Sequence, residues 1–380
     1  NWLNNSVGAI MFFNTRSAVL QLLSSINFVN FTDNNPLKAG AAFANQPQYW
    51  KDFKFLFNSD FLKERRGGLR FNVSESEIAD AAQKGGAKGV ISKILQAGFL
   101  PTQMADSFAI ATGGATFYRN RVKTYTKQGL TEAEANEKAF QDFRETAEES
   151  QQSSRPDRIS AQQAGPLGRT ILAFANTPAQ YARLTKKAAS DIINGRGDLK
   201  TNLSKLAYYG AVQNLIFNFL QQAVFALAFG DESDEEEKKK EEKLLGVANG
   251  MADSFLRGIG VAGAITATLK NALIKIIKED QKARPDYAET TVIQLLGISP
   301  PVQSKAQKIR SALKSYEWNK DEMKEKGFSL DNPAYLAGAN VISAGFNVPL
   351  DRVVKKVDNI KNSTQDDIST LNRIMLLAGW

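Results

Sequence analysis

The sequence predicts an all-α protein, and three observations carry that prediction. Ala, Leu, Lys, Glu and Gln run in long stretches, with only 11 prolines in 380 residues; these are strong helix formers. Apolar residues recur at helical spacing, as at Ala139, Phe140, Phe143 and Ala147. A Ser or Thr followed three residues later by Glu marks helix starts at Ser74–Glu77 and Thr131–Glu134. Helix is expected over more than two thirds of the ordered chain. Leu69, Phe71 and Val73 alternate with polar residues and allow at most one short β-ribbon. The expected architecture is an elongated multi-helix assembly with a long apolar helical hairpin.

The elements follow in order. Residues 1–32 are mostly apolar, and Asp33-Asn34-Asn35-Pro36 turns the chain. Aromatics crowd residues 43–61 (Phe43, Tyr49, Trp50, Phe53, Phe55, Phe57 and Phe61) at a spacing that suits a helix packed on two sides. Pro101 opens a helix that carries Gly113-Gly114 in its middle. Two such glycines cost about 1 kcal/mol each relative to Ala, which predicts a kink or a close helix crossing. The polar run Glu148 to Arg158 reads as a boundary. Helix resumes from Ile159 to Gly230, broken near Asn194-Gly195-Arg196-Gly197-Asp198, and again from Leu244 to about Lys278. Pro285, Pro300-Pro301, Pro333 and Pro349 divide the rest into short helices. Three regions result: 1–150, helical; 151–284, basic helices plus the apolar hairpin with a charged tip at 231–243; and 285–380, short helices.

Composition narrows the chemistry. The chain has no Cys and no His. Disulfides, Cys/His zinc sites, Cys nucleophiles and triads with a His base are excluded. The net charge is +8 and the isoelectric point about 9.3, compatible with nucleic acid or anionic lipid as partners. The chain starts at Asn1 with no basic-apolar-small leader pattern, and is expected to be the ordered or processed part of a longer polypeptide.

Catalytic signatures are weak. No phosphate loop is present, and no GxGxxG follows a strand. Ser311 and Lys314 match Ser-x-x-Lys, but the companion elements of serine acylation are missing; an exposed helix face is the better reading. Glu148 and Glu149 are an acid pair on paper. Adjacent helical residues point about 100° apart, so a solvated helix end is expected. The run at 231–243 holds eight carboxylates and four lysines and reads as a solvated connection between helices. No catalytic residue, metal ligand or cofactor is assigned.

The physical features are stronger. From Leu206 to Gly230 there are 25 residues without a charge, about 37 Å of helix. Asn214, Asn218, Gln221 and Gln222 form one amide stripe for a neighbouring helix, and Phe217, Leu220, Val224 and Leu227 form an apolar face for membrane or channel. The partner arm lies within 244–278, where Gly246, Gly250, Gly258, Gly260 and Gly263 permit close approach and Asp253 and Arg257 are spaced to pair. Tyr208 to Phe229 is therefore expected to run antiparallel to a helix within 244–278, with 231–243 the least ordered stretch. Arg183, Lys186, Lys187, Lys200 and Lys205 flank the apolar arm and suit DNA phosphates or lipid head groups. Arg119, Arg121 and Lys123, beside Tyr118 and Tyr125, make a lesser basic patch.

Several runs together carry a resemblance: NWLNNSVGAIMFFNTRSAVLQ at the start, the aromatic stretch through Tyr49-Trp50, ATGGATFYRNRV at 111–122, EESQQSSRPDRIS at 148–160 and LAFANTPAQYARLTKKA at 172–188. The chain resembles a helical segment of the very large, polyvalent internal virion proteins of short-tailed bacteriophages, crAss-like ones included. The resemblance covers about residues 1–230 and transfers no site residue. It implies a non-enzymatic cargo or ejection protein of the virion interior that assists genome delivery. Its expected partners are portal, tail or core proteins, further copies of itself, DNA and anionic membrane, the last after passage to the host envelope. The alternatives are a non-catalytic helical domain of a larger phage enzyme and a static tail or portal plug.

Overall fold

The computed structural model describes residues 22–31, 34–66, 98–150, 165–172, 176–212, 236–258, 260–280, 292–327 and 332–365, with isolated positions elsewhere. Their regular structure is entirely helical, without a strand among the described residues. The strand-like Leu69, Phe71 and Val73, the Ser74–Glu77 cap, the amide stripe Asn214, Asn218, Gln221 and Gln222, and the apolar face Phe217, Leu220, Val224 and Leu227 lie outside the described residues.

The first region packs around one long helix. Helices α1 (Pro36–Ala44), α2 (Gln46–Phe57) and α3 (Asp60–Arg66) lie against α4 (Leu100–Lys127), which pairs with α5 (Glu132–Ser150). Asn35 caps α1 by accepting from Lys38 N at 2.9 Å, with Pro36 inside the first turn. The aromatic stretch is thus several helices, interrupted where Asn45-Gln46-Pro47 restarts the chain. Its rings form a chain from Phe43 through Tyr49, Trp50 and Phe53 to Phe57 and Phe108. The predicted cap at Thr131 forms: Glu134 N donates to Thr131 Oγ1, and Glu134 Oε2 accepts from Thr131 N at 3.0 Å. Phe28, Phe117 and Phe143 are fully buried together.

Gly113 and Gly114 make this core possible. A Cβ on Gly113 would sit 2.2 Å from Ser25 O, and one on Gly114 would sit 2.3 Å from the Phe143 ring. Of the two outcomes their spacing allowed, the close crossing is present. Two expectations are corrected here. Arg119 is held by Asp52 through Nε–Oδ2 at 2.7 Å and Nη2–Oδ1 at 2.5 Å, and Arg121 by Asp142. The patch near Tyr118 is therefore mostly ion-paired. Glu148 is buried beside Arg65, which also bonds Asp106; it is no solvated helix end.

A 3-10 helix, Leu23–Phe28, connects this bundle to the next helices. Asn27 Nδ2 donates to Ser150 O at 2.9 Å, Asn30 Nδ2 to Ser204 Oγ at 2.9 Å, and Tyr208 Oη to Ile26 O at 2.6 Å. Beyond lie α6 (Pro166–Ile171), α7 (Asn176–Ile193) and α8 (Leu199–Ala207), which continues into a π turn, Tyr208–Val212.

The long second arm expected over 244–278 is two helices. The first, α9 (Glu236–Gly258), already includes eight of the thirteen residues of the charged run, and α10 (Val261–Asp280) follows a turn in which Gly260 has φ +109°. The two form a hairpin of their own. Asp253 bonds Lys270 at 2.6 Å across it and does not pair with Arg257 as its spacing suggested. Last come α11 (Pro300–Lys326), α12 (Pro333–Phe346) and α13 (Leu350–Ser363). Lys308 Nζ meets Asp351 at 2.9 Å between α11 and α13. Ser311 and Lys314 lie on α11, with the Lys314 ammonium 5.5 Å from the centre of the Trp318 ring.

Candidate lipid- or nucleic-acid-contacting surface

Local sequence builds a sharp helical corner between α7 and α8. Gly195 (φ +62°) stops α7, with Gly195 N donating to Ile192 O at 3.2 Å and Arg196 N to Asp191 O at 2.7 Å. This is the paired termination that a left-handed glycine permits. Asp198 then caps α8 through Thr201 N at 2.8 Å, and Asn202 Nδ2 ties down Arg196 O at 2.6 Å. The corner is fixed by its own backbone and by the side chains of Asp198 and Asn202.

The base of this arm is anchored. Tyr181, Leu184, Tyr208 and Tyr209 pack with Phe31. Burial pushes the hydroxyls of Tyr208 and Tyr209 well above their ordinary pKa. Gln180 Nε2 donates to Glu149 O at 2.5 Å, so the arm stands on the end of α5.

The five predicted cations divide along the arm. Arg183, Lys186 and Lys187 share α7, and Lys200 and Lys205 share α8. Lys187 bonds Glu149 at 3.1 Å. Lys205 is half-buried; burial lowers its pKa first, the neighbouring Lys187 adds to that, and Glu149 and Asp191 oppose it. Arg183, Lys186 and Lys200 are exposed. The set is therefore one arm with two cations turned to the acidic end of α5 and three on open surface.

What periodicity could not find is the apolar end. Ile193, Leu199 and Leu203 are 82%, 57% and 48% exposed, all at or next to the corner. Arg196 and Lys200 stand in the same turn and first helical turn, both exposed. Over 183–205 there are six cations and two aspartates. An aliphatic end set in a collar of cations gains on contact with an interface that offers hydrocarbon beneath anionic groups.

Elsewhere, an open hollow where α2 meets α3 is lined by Lys51, Lys54, Phe55, Asn58, Ser59 and Asp60. Among the described residues no cluster of three or more acidic side chains could hold a metal ion, and no helix is long and apolar enough to cross a membrane. The chain matches no protein-family model, no curated protein and no solved structure.

Proposed function

We propose that this chain is an internal virion protein of a bacteriophage that assists genome delivery by physical contact, with no catalysis of its own, and that the α7–α8 corner is where it meets the anionic membrane of the host. The observation that carries the reading is the exposed trio Ile193, Leu199 and Leu203 inside a cationic collar. DNA phosphates would attract the same cations but give the three aliphatic side chains nothing to enter. Lipid rewards both. The likeness to polyvalent virion proteins supplies the setting. The longer apolar arm with Phe217, Leu220, Val224 and Leu227 would add depth of insertion once the corner has docked, and its amide stripe, Asn214, Asn218, Gln221 and Gln222, would face a helix of the assembly.

Vesicle co-sedimentation tests this. Binding is expected to vesicles containing phosphatidylglycerol, to fall with salt, and to be lost in the Ile193→Asp/Leu199→Asp variant. Equal binding to purely zwitterionic vesicles, or none to either, rules the contact out. Salt-sensitive DNA binding that survives the double substitution would assign the arm to nucleic acid instead. A second reading, a static plug held by contacts between copies, is favoured by the exposed Leu245 and Phe255 on α9 and Leu269 and Leu273 on α10; no vesicle binding together with stable self-association would select it.

A further inference from the structure

The sequence holds two Asn-Gly pairs, Asn194-Gly195 at the α7–α8 corner and Asn249-Gly250 in α9. An asparagine before a glycine can react with its own backbone, because a residue without a Cβ leaves its nitrogen open to the preceding side chain. The fold gives the two pairs opposite surroundings.

Asn249 lies inside α9, where the following N–H is held in the helical ladder. Both ends of its amide are engaged across the hairpin: Lys270 Nζ donates to Oδ1 at 2.7 Å, and Nδ2 donates to Asn271 Oδ1 at 3.1 Å. Reaction there requires α9 to open in its middle, which breaks a cooperative helix. Asn194 stands just past the last residue of α7, and both it and Gly195 are exposed. Its Nδ2 donates only into its own final turn, to Ser190 O at 2.7 Å and Ser190 Oγ at 3.2 Å. Gly195 N donates to Ile192 O at 3.2 Å, and a Cβ built on Gly195 would meet nothing within 4 Å. Exposed bonds at a helix end are the first to open, and the space for ring closure is already there.

We propose that Asn194 is a site of self-modification, converting to an acidic residue that weakens the hold of the corner on anionic membrane. The weakening rests on the membrane reading of that corner; the conversion does not. Gly195 N gives its proton to solvent base and attacks Asn194 Cγ. The N–Cγ bond forms, the Cγ–Nδ2 bond breaks, and Nδ2 leaves as ammonia. Water then opens the ring at either carbonyl and leaves an aspartate or an isoaspartate at position 194. Nothing is oxidised or reduced, and water is the one co-reactant. The new charge falls between the exposed Ile193 and Arg196, in the stretch 183–205 with its six cations and two aspartates. The net charge there drops from +4 to +3. One charge beside an anionic surface is worth about fivefold in affinity.

Peptide mapping of the full chain during incubation at mildly alkaline pH tests the site. In the folded chain conversion at 194 is expected to outpace conversion at 249 at least about tenfold, and in urea the two rates should converge. Asn194→Gln should halt conversion, because closure would then need a six-membered ring. No conversion at 194, or equal rates at both positions in the folded chain, overturns the inference. Vesicle co-sedimentation reads the consequence. Binding of the parent chain to phosphatidylglycerol vesicles should fall about fivefold as conversion proceeds; Asn194→Asp should start at the lowered level, and Asn194→Gln should keep its binding throughout. Complete conversion with unchanged binding refutes the weakening. A chain that never binds the vesicles refutes the membrane reading of the corner instead, and the mapping still decides the modification.

Discussion

The α1–α5 bundle and the α9–α13 helices are built from the same residue types and are finished to different degrees. Around α4 there is a core of large rings: Phe28, Phe117 and Phe143 are fully buried, and Asp52 and Arg119 satisfy one another, although Phe43, Trp50, Phe55 and Phe108 stay exposed on its outer side. In the later helices large apolar side chains line up outside: Leu269 and Leu273 on α10, Ile309, Leu313 and Tyr316 on α11, and Val353, Val357 and Ile360 on α13. Surface of that kind on several neighbouring helices is uncommon in a protein that works alone. The difference teaches where stability and recognition reside. The first bundle buries large rings beneath its exposed ones, whereas the buried apolar residues described on α9–α13 are alanines and the large side chains lie at the surface.

The comparison breaks most visibly in the core. Phe143→Ala is expected to cost about 3–5 kcal/mol, because it empties the space against which Gly114 and Phe28 pack. Asp52→Ala strands the Arg119 guanidinium and should cost about 2–3 kcal/mol. Denaturant unfolding measures both. Gly114→Ala sharpens the point. In an open helix that change stabilises, whereas here it drives a methyl into the Phe143 ring and should destabilise by about 1–3 kcal/mol.

The arm supplies a pH test of intermediate size. Tyr208 and Tyr209 have folded pKa values raised above the ordinary 10.0 by burial. Their contribution is fully present below pH 10 and is lost as pH rises from there toward the folded values, because only the unfolded chain ionises them readily. The denaturation midpoint should fall steeply above about pH 10, and less steeply in Tyr208→Phe. Tyr118, pushed up to about 12 by burial and by Asp52, titrates late as well, in the bundle. The smallest effect is expected outside. Val357→Ser should leave stability within about 0.5 kcal/mol, where the same change at buried Val122 would not.

Much of the bundle was legible in the sequence because its signals are local. Thr131 and Glu134 are three residues apart, and the Gly113-Gly114 pair announces a close crossing wherever it falls in a helix. Glu148 was misread because its partner, Arg65, is 83 residues away in the chain, and no helical wheel shows that. The glycines at 258 and 260 were read as packing residues. Gly258 does pack on Pro178, but Gly260, at positive φ, ends the arm and moves the hairpin to α9–α10. The cations of the candidate surface stand out in the sequence as charge. Ile193, Leu199 and Leu203 do not, since periodicity marks an apolar face without saying whether anything covers it.

The lipid contact at the corner is tested most directly by a reporter placed on it. The chain has no cysteine, so Ile193→Cys can carry an environment-sensitive fluorophore alone, with Gln128→Cys at the exposed end of α4 as its counterpart. With phosphatidylglycerol vesicles the label at 193 should shift to the blue and resist aqueous quenchers, and the label at 128 should do neither. A silent label at 193 on vesicle-bound protein, or equal shifts at both positions, would contradict the assignment of the α7–α8 corner as the surface that meets the membrane.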